Sequence, residues 1–287
     1  IASPADLVGI WTEDAEPQGL EEYAERLRYA LDELGFVRFR FPGAGGLSGG
    51  RWNGIEVFER LQPQKAFWIA GDRCVAQQAA PEAQIRWERR GGVLGIQPLS
   101  PATEASGSWV EYQVQATEEQ AGSYELVLQV EPVQPEEERE IWWDGHLLAR
   151  VNQAAALASP RGFLPTGVVL TVTPGTHRVR LVFARVIGQG DKVAAIILRR
   201  PDAAPLEQLE LQTLRLTEEF RAAYATHLRR GMQFLRGQGW ETKAQLKLWD
   251  EPTLAEHVRV RAVYQFARSV LPEARLELSE EPSELLL

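Results

Sequence analysis

Acidic pairs follow three of the strands that the sequence predicts, at the point where each strand ends. They are Glu13-Asp14, Asp250-Glu251 and Glu280-Glu281. Two carboxyl groups at one site can hydrolyse a glycosidic bond, because one protonates the leaving oxygen while the other stabilises the cationic sugar. In a (β/α) barrel such groups meet at the carboxyl ends of the strands. Acids at these positions also cap the next helix and complement its dipole, so both interpretations stay open.

Tryptophan is the second residue type that could carry function, and the chain contains nine. An indole ring buries apolar surface well, so it can stack on the C–H face of a sugar as readily as it fills a core. Trp11 and Trp249 precede two of the acidic pairs. We therefore predict a carbohydrate-binding surface from these two rings with Glu13 and Asp14, and core packing is the alternative for each ring.

The acidic strand ends lie in two segments with helix and strand patterns. Residues 1–65 begin with a strand that ends at Trp11, continue with helical spacing of apolar residues from Leu20 to Leu34, and return to strand alternation. Residues 205–287 show the same succession of helices and strands. Together they predict two parts of one α/β unit, a partial (β/α) barrel, because a complete barrel requires at least ~200 residues.

Residues 66–200 have a different pattern. Short alternating segments are separated by turn residues, and Asp144-Gly145 between two apolar runs is a strong hairpin signal. Many short strands without helical period indicate a β-sandwich inserted into the α/β unit. The predicted fold class is therefore α/β plus all-β.

The segment around Asp250 resembles a known family. Residues 237–252 contain a Gly-Trp pair and end in Asp250-Glu251-Pro252, and a helix and a strand follow through residue 279. This order is similar to the glycosidase-like barrels of glycoside hydrolase family 123, which cleave β-linked N-acetylgalactosamine. The resemblance implies that Asp250 orients the acetamido group of the substrate and that Glu251 is the general acid.

The predicted sandwich also resembles a family. Trp109-Val-Glu-Tyr112, Ala121-Gly-Ser-Tyr124, Asp144-Gly145 and Pro174-Gly-Thr-His177 occur in the order of family 6 or family 35 carbohydrate-binding modules. That resemblance implies a galactose-binding-like jelly roll in which the loop aromatics Trp87 and Phe163 contact a glycan. No cofactor or metal is predicted. Whether the module binds a structural calcium stays open, because residues 69–72 stand where that family usually has a Glu-rich first segment.

The two ends of the chain predict one further feature. In the glycosidase-like family, the strand that corresponds to residues 275–279 is followed along the chain by a further strand. The best match to that further strand is Val8-Gly9-Ile10-Trp11. We therefore predict that strands 7–11 and 275–279 are parallel neighbours in a permuted or broken barrel.

Composition limits the classes of function. The net charge of −9 argues against nonspecific nucleic-acid binding, and no apolar run has the length of a membrane helix. One cysteine, Cys74, excludes an intrachain disulfide framework. The expectation is an extracellular or periplasmic glycoside hydrolase-like protein that acts on or binds glycans containing N-acetylhexosamine. The alternative is a noncatalytic sugar-binding or assembly protein, with self-association or further chain segments completing the barrel.

Overall fold

The computed structural model describes residues 9–88, 92–100, 102–131, 134–157, 159, 162–188, 190–250, 252 and 256–278. The chain forms two compact units. The first joins Ile1–Arg60 to Leu214–Leu287, and the second is Leu61–Thr213.

The elements in chain order are as follows. The helices are α1 (Leu20–Arg28), α2 (Ala154–Leu157), α3 (Leu206–Leu211), α4 (Glu218–Gly237) and α5 (His257–Val270). The strands are β1 (Phe39–Arg40), β2 (Arg51–Trp52), β3 (Ile55–Glu56), β4 (Phe58–Arg60), β5 (Ala66–Ala70), β6 (Ala76–Gln78), β7 (Ala83–Glu88), β8 (Val93–Pro98), β9 (Ser108–Ala116), β10 (Gly122–Glu131), β11 (Glu138–Trp143), β12 (His146–Asn152), β13 (Phe163–Val172), β14 (Gly175–Arg185), β15 (Asp191–Arg199), β16 (Leu214–Leu216), β17 (Ala244–Lys247) and β18 (Arg275–Glu277).

Two antiparallel sheets build the second unit. One has the order β13-β10-β15-β8-β7 with β5 also paired to β15, and the other has the order β12-β11-β14-β9-β6. Alternate residues of both sheets enter one apolar core, as Val110 and Tyr112 of β9 do opposite Leu126 and Leu128 of β10. Burial of these alternating side chains holds the sheets face to face, so this unit is a β-sandwich.

The β11–β12 hairpin forms where the sequence predicts it. Asp144 and Gly145 have φ angles of 46° and 82°. Positive φ at both central residues is the geometry of a type I′ turn, whose twist matches that of the flanking strands. Gly tolerates this conformation and Asp does so better than most residues.

A helix covers part of the outer face of the six-stranded sheet. Leu209 of α3 packs with Trp68 of β5, Phe163 of β13 and Ile197 of β15 in a second apolar cluster. The predicted second part of the α/β unit begins at residue 205, whereas the compact unit that contains the sandwich extends to Thr213 and includes α3. The short helix belongs to the sandwich unit because the six-stranded sheet buries the apolar side of the helix.

The first unit contains a small parallel sheet with the order β1-β17-β18. Helices α1, α4 and α5 contribute to a core that includes Tyr23, Tyr224 and Val263. Two antiparallel pairs, β2 with β3 and β4 with β16, complete its described strands. The partial barrel stays a prediction, because three parallel strands are also compatible with an open sheet.

The predicted strand 7–11 has a different outcome. Residues 7 and 8 lie outside the described residues, and Gly9–Trp11 are not in a strand. The backbone N–H of Trp11 donates to Nδ1 of His227 at 3.1 Å, so it is not engaged in a sheet ladder. Among the described strands, β18 pairs with β17 alone. The predicted pairing of 7–11 with 275–279 is therefore absent from the described part of the chain.

Candidate functional site

Asp250 lies three residues beyond the carboxyl end of β17. Its side chain is 66% exposed, and Oδ1 lies 2.6 Å from Nζ of Lys247, whose side chain is only 10% exposed. A lysine on the strand thus holds the carboxylate at the strand end. Glu251, the predicted general acid, lies outside the described residues, as do Glu280 and Glu281.

Tyr264 of α5 positions the chain just before Asp250. Its hydroxyl accepts from the backbone N–H groups of Leu248 and Trp249 at 3.2 and 3.3 Å, and donates to the carbonyl of Glu277 at 2.5 Å. One half-buried hydroxyl therefore joins the ends of β17 and β18. Burial is the main cause that raises the pKa of Tyr264. The hydroxyl therefore keeps the proton that it donates to the Glu277 carbonyl.

The tryptophans predicted beside the acids are core residues. Trp11 and Trp249 are each 2% exposed. The Trp11 ring lies 6.0 Å from Phe234 and the Trp249 ring 6.4 Å from Phe58, so both are surrounded by side chains of their own unit. The core-packing alternative is correct for both rings, and neither presents a face to a sugar.

Glu13 and Asp14 lie in an exposed bend. The carbonyl of Glu13 accepts from Nη1 of Arg230 at 3.2 Å, which attaches the bend to α4. Within the described residues, no hydrogen bond or ion pair joins either carboxylate to Asp250. The structure therefore does not connect these predicted site residues.

The two predicted loop aromatics of the sandwich lie in strands. Phe163 begins β13, is 5% exposed and contacts the Trp68 ring edge to face at 6.2 Å. It is buried under α3 and cannot stack on a glycan without leaving the core. Trp87 belongs to β7, opposite Leu94 of β8, and the orientation of its side chain is not described.

His227 of α4 is a buried histidine that connects separate segments of the α/β unit. Its Nδ1 accepts from the Trp11 N–H at 3.1 Å, so Nε2–H donates to the carbonyl of Pro42 at 3.0 Å. These partners fix the neutral tautomer. Burial lowers the pKa of His227 to about 4, because a charged imidazole would be desolvated among aromatic rings. It connects three segments and has no free nitrogen for chemistry.

The outer face of the five-stranded sheet carries a cluster of aromatic and charged side chains. We define the sheet-face cluster as Trp109 and Glu111 of β9, Arg180 of β14, Trp142 of β11 and Leu147 of β12. Glu111 pairs with Arg180, Arg180 with Trp142, and Trp142 with Leu147 in the strand registers. Directly paired residues share a face, so four adjacent strands contribute to one surface.

Arg180 is held in the middle of this cluster. Its Nε and Nη2 donate to Oε2 of Glu111 at 3.1 and 2.9 Å, and its guanidinium lies over the Trp109 ring at 4.3 Å from the centroid. The Trp109 indole N–H in turn donates to Gln78 at 3.1 Å. An ion pair and a cation–π contact together restrict the guanidinium to one orientation.

Trp142 supplies the open aromatic surface. It is half-buried, and within the described residues its ring contacts no other ring or cation. Its indole N–H donates to Oε2 of Glu140 at 3.1 Å, and Oε1 of Glu140 pairs with Nη2 of Arg150 at 2.7 Å. Leu147, opposite Trp142, is 44% exposed. Apolar surface and fixed hydrogen-bonding groups therefore lie side by side.

Sequence reasoning missed this cluster, although one signal was present. The alternation that directs Val110 and Tyr112 inward also directs Trp109 and Glu111 outward. A solvent-facing tryptophan in such a strand is a useful indication. The partners on β14 and β11 depend on strand order, which alternation does not provide.

A second set of polar and charged side chains lies inside the sandwich. Arg139 forms an ion pair with Asp191, and both side chains are fully buried. Glu137 is also buried and accepts from Gln153 at 2.6 Å. Burial raises the pKa of Glu137 to about 8, with a further contribution from the charge of Asp191. In the part of the chain that is described, no three His, Cys, Asp or Glu side chains are placed to hold a metal ion.

His177 closes one end of the sandwich. Its ring stacks on Trp143 at 4.9 Å, Nδ1 lies 2.7 Å from Oδ2 of Asp144, and Nε2 lies 2.8 Å from the carbonyl of Thr173. Burial alone would lower the pKa of His177. The Asp144 hydrogen bond, the Thr173 carbonyl and the Asp144 charge outweigh burial and raise it. Both nitrogens face acceptors, so the protonated ring satisfies both.

Comparison with known proteins gives structural neighbours only. No family model matches the sequence, and no curated protein matches it. The C-terminal family 6 carbohydrate-binding module of a laminarinase from Zobellia galactanivorans is 13% identical, with 47% of this chain and 99% of that chain covered and a TM-score of 0.32. A family 35 module from Clostridium thermocellum is 13% identical, with coverages of 51% and 98% and a TM-score of 0.28.

An insecticidal crystal protein is 12% identical over 54% of this chain and 24% of its own, with a TM-score of 0.39. All three scores are low. The assignment of a β-sandwich therefore rests on the sheets of this chain and not on these neighbours.

Proposed function

We propose that the sandwich unit binds glycans through the sheet-face cluster. The observation that carries this proposal is the placement of Trp142 and Leu147 beside the oriented Arg180–Glu111 pair. A pyranose ring has an apolar C–H face and a rim of hydroxyls. Trp142 would bury that face, while Arg180 would donate to hydroxyl oxygens and Glu111 would accept from hydroxyl protons. The contacts use side chains alone and involve no metal.

The size of the cluster favours an oligosaccharide over a single sugar. It extends from β12 to β9, which are three strand spacings apart, or about 14 Å. That width exceeds one pyranose ring. We therefore expect affinity to rise with chain length until the ligand covers all four strands, and to level off thereafter.

Calorimetric titration with neutral oligosaccharides tests the proposal. The probes are glucose oligomers linked β-1,4 or β-1,3 and N-acetylglucosamine oligomers linked β-1,4, each of two to six units. We expect Trp142→Ala to weaken binding at least ~30-fold, since it removes about 2 kcal/mol of stacking surface. Gln113→Ala, an exposed residue further along β9, is the matched control. Equal affinities of Trp142→Ala and the wild type would refute the proposed site.

Hydrolysis of N-acetylhexosamine glycans is the second candidate function. It is supported by the exposed Asp250 carboxylate at a strand end and by the resemblance to glycoside hydrolase family 123. We predict that Asp250→Asn and Glu251→Gln each abolish cleavage of an aryl N-acetylhexosaminide. Glu251→Gln is expected to leave thermal stability unchanged, whereas Asp250→Asn should lower it, because it removes the counter-charge of Lys247, whose side chain is only 10% exposed. Absence of turnover by the wild-type chain would leave the noncatalytic binding function.

The cellular setting is part of the same proposal. Glycan polymers suit an extracellular or periplasmic protein, and this location stays a prediction. In the described residues, no helix combines the length and apolar character needed to cross a membrane. Self-association or further chain segments that complete a barrel likewise stay predictions.

A further inference from the structure

We infer that the sheet-face cluster prefers acidic glycans, and that a carboxylate or sulfate group of one sugar binds to the open edge of the Arg180 guanidinium. The inference rests on the proposed function, because it assigns the chemical class of the ligand at that same site. It is based on which donors of Arg180 are occupied and on how few carboxylates the arginines of this face share.

Arg180 keeps one of its donor edges open. Its Nε and Nη2 both donate to Oε2 of Glu111, so the side edge of the guanidinium is occupied. Within the described residues, Nη1 makes no hydrogen bond, which leaves the Nη1–Nη2 edge with two parallel N–H groups. Such an edge takes a carboxylate or a sulfate in a two-pronged contact, which is stronger than a hydrogen bond to a neutral hydroxyl.

The open edge is already oriented by its neighbours. The Glu111 ion pair and the Trp109 ring, whose centroid lies 4.3 Å from the guanidinium, restrict the Arg180 side chain. Because this side chain is ordered beforehand, an anion that binds there pays less conformational entropy than at an unconstrained arginine. Glu111 therefore positions Arg180 and leaves its second edge available.

Positive charge exceeds negative charge around Arg180. Glu111 lies between two guanidinium groups, since its Oε2 is 2.9 Å from Nη2 of Arg180 and its Oε1 is 3.5 Å from Nη1 of Arg178. Arg150 pairs with Glu140. Three guanidinium groups thus share two carboxylates, which leaves an excess of one positive charge on this face.

The cations of this face are also more accessible than the acids. The three arginine side chains are between 43% and 70% exposed, whereas the two glutamate side chains are 15% and 16% exposed. An approaching anion meets the guanidinium groups at shorter distances than the carboxylates, so attraction exceeds repulsion. The face is therefore attractive to anions although the whole chain has a net charge of −9.

Three other acids around this sheet are already paired or distant. Asp144, in the β11–β12 turn, contacts His177. Glu104 pairs with Arg185, and Glu138 is the cross-strand partner of the same arginine. Arg185 lies five residues along β14 from the open guanidinium edge, or about 17 Å. That distance exceeds the Debye length of about 10 Å at 0.1 M salt, so these acids are screened from the proposed anion site.

Trp142 favours a sugar as the carrier of the anion over an acidic peptide. It is the direct cross-strand partner of Arg180, and such partners have Cβ atoms about 4.5–5.5 Å apart. A uronic acid or a sulfated sugar combines an apolar C–H face with an anionic group at its rim, so it matches the indole and the guanidinium together. Arg178 lies about 7 Å further along β14 and can contact the next anionic group of the chain.

Binding of matched neutral and acidic ligands by the full chain tests the inference. Calorimetric titrations at low and moderate salt use the β-1,4-glucose hexamer, the β-1,4-glucuronic acid hexamer and a 6-O-sulfated β-1,4-glucose hexamer. The last two probes distinguish a carboxylate from a sulfate. A capped glutamate hexapeptide has the same charge as the acidic hexamers and no sugar ring.

Two lysine variants separate the shape of the site from its charge. Arg180→Lys keeps the positive charge and removes the planar two-donor edge. Arg199→Lys is the matched control, because Arg199 also donates to a cross-strand glutamate, Glu125, but on the other sheet. The quantity compared is the ratio of acidic to neutral affinity, since the proposed function also gives Arg180 a contact with neutral sugars.

We expect the wild type to bind at least one acidic hexamer about tenfold more tightly than the neutral hexamer at low salt, the effect of one additional charge-assisted contact. Arg180→Lys should reduce this ratio to about threefold or less, whereas Arg199→Lys should keep it. Moderate salt should lower the ratio. The glutamate hexapeptide should bind about tenfold more weakly than the preferred acidic hexamer, because it lacks the stacking contact with Trp142.

Three results would overturn the inference. The first is equal or weaker binding of both acidic hexamers by the wild type. The second is a ratio that Arg180→Lys leaves unchanged, or that both lysine variants reduce equally. The third is binding of the glutamate hexapeptide as tight as that of the acidic hexamers, which would assign the face to acidic peptides.

The failure of the proposed function gives a different result. In that case none of the hexamers binds, or Trp142→Ala leaves their affinities unchanged, and the inference fails with it. When the inference alone fails, the neutral hexamer still binds and Trp142→Ala still weakens it, but the acidic hexamers have no advantage that depends on Arg180.

Discussion

The neutral, buried state of His227 makes the α/β unit sensitive to acid. Its pKa is about 4 in the folded chain against a usual value of 6.5. As the pH falls below 6.5, the unfolded chain binds a proton that the folded chain does not. This contribution to stability is therefore fully present above about pH 6.5 and is lost as the pH falls toward 4. At 1.36 kcal/mol per pKa unit, the loss at pH 4 is about 3 kcal/mol.

The variant His227→Gln removes the titration and keeps both polar contacts. A glutamine oxygen can accept from the Trp11 N–H while its amide donates to the carbonyl of Pro42. The variant is expected to lose some stability at pH 7 through imperfect packing. Its further loss between pH 7 and pH 4 should be about 3 kcal/mol smaller than that of the wild type.

Urea titrations at the two pH values measure this difference. The indole resonances of Trp11 and Trp52 report on this site, because their rings lie 5.5 and 5.3 Å from the imidazole. Unit-specific signals are needed because two compact units need not unfold together. Equal losses of stability by the two proteins on acidification, or titration of the His227 ring near 6.5 in the folded state, would contradict this prediction.

Three further outcomes follow from packing and charge. Gly43→Ala should destabilise the α/β unit by roughly 1–3 kcal/mol, because φ is +67° and a Cβ would lie 2.9 Å from the His227 ring. Gly46→Ala, with φ of +83° and nothing within 4 Å, should cost less in the same urea assay. Asp191→Asn should cost about 3–5 kcal/mol in thermal unfolding of the sandwich, because it removes the ion-pair partner of the fully buried Arg139, and a value under 1 kcal/mol would contradict this. His177 should titrate above 6.5 by NMR, with a stabilising contribution present below that pH and lost as the pH rises through its folded pKa.

The sequence by itself determined the local features of this protein. Alternation in 109–115 places Val110 and Tyr112 in the core, and Asp144-Gly145 forms the predicted turn. The apolar spacing from residue 20 also corresponds to a helix, α1. These features depend on neighbours a few residues away, so periodicity and turn chemistry reveal them.

Tertiary structure alone decided which residues meet. Trp11 precedes an acidic pair in the sequence, yet the packing of α4 against its segment buries it beside His227. Likewise, β14 lies between β9 and β11, so Arg180 meets Glu111, which is 69 residues away in the chain. Such pairings are selected by the burial of both sheets at once, because many registers satisfy a single alternating strand and few of them close a common core.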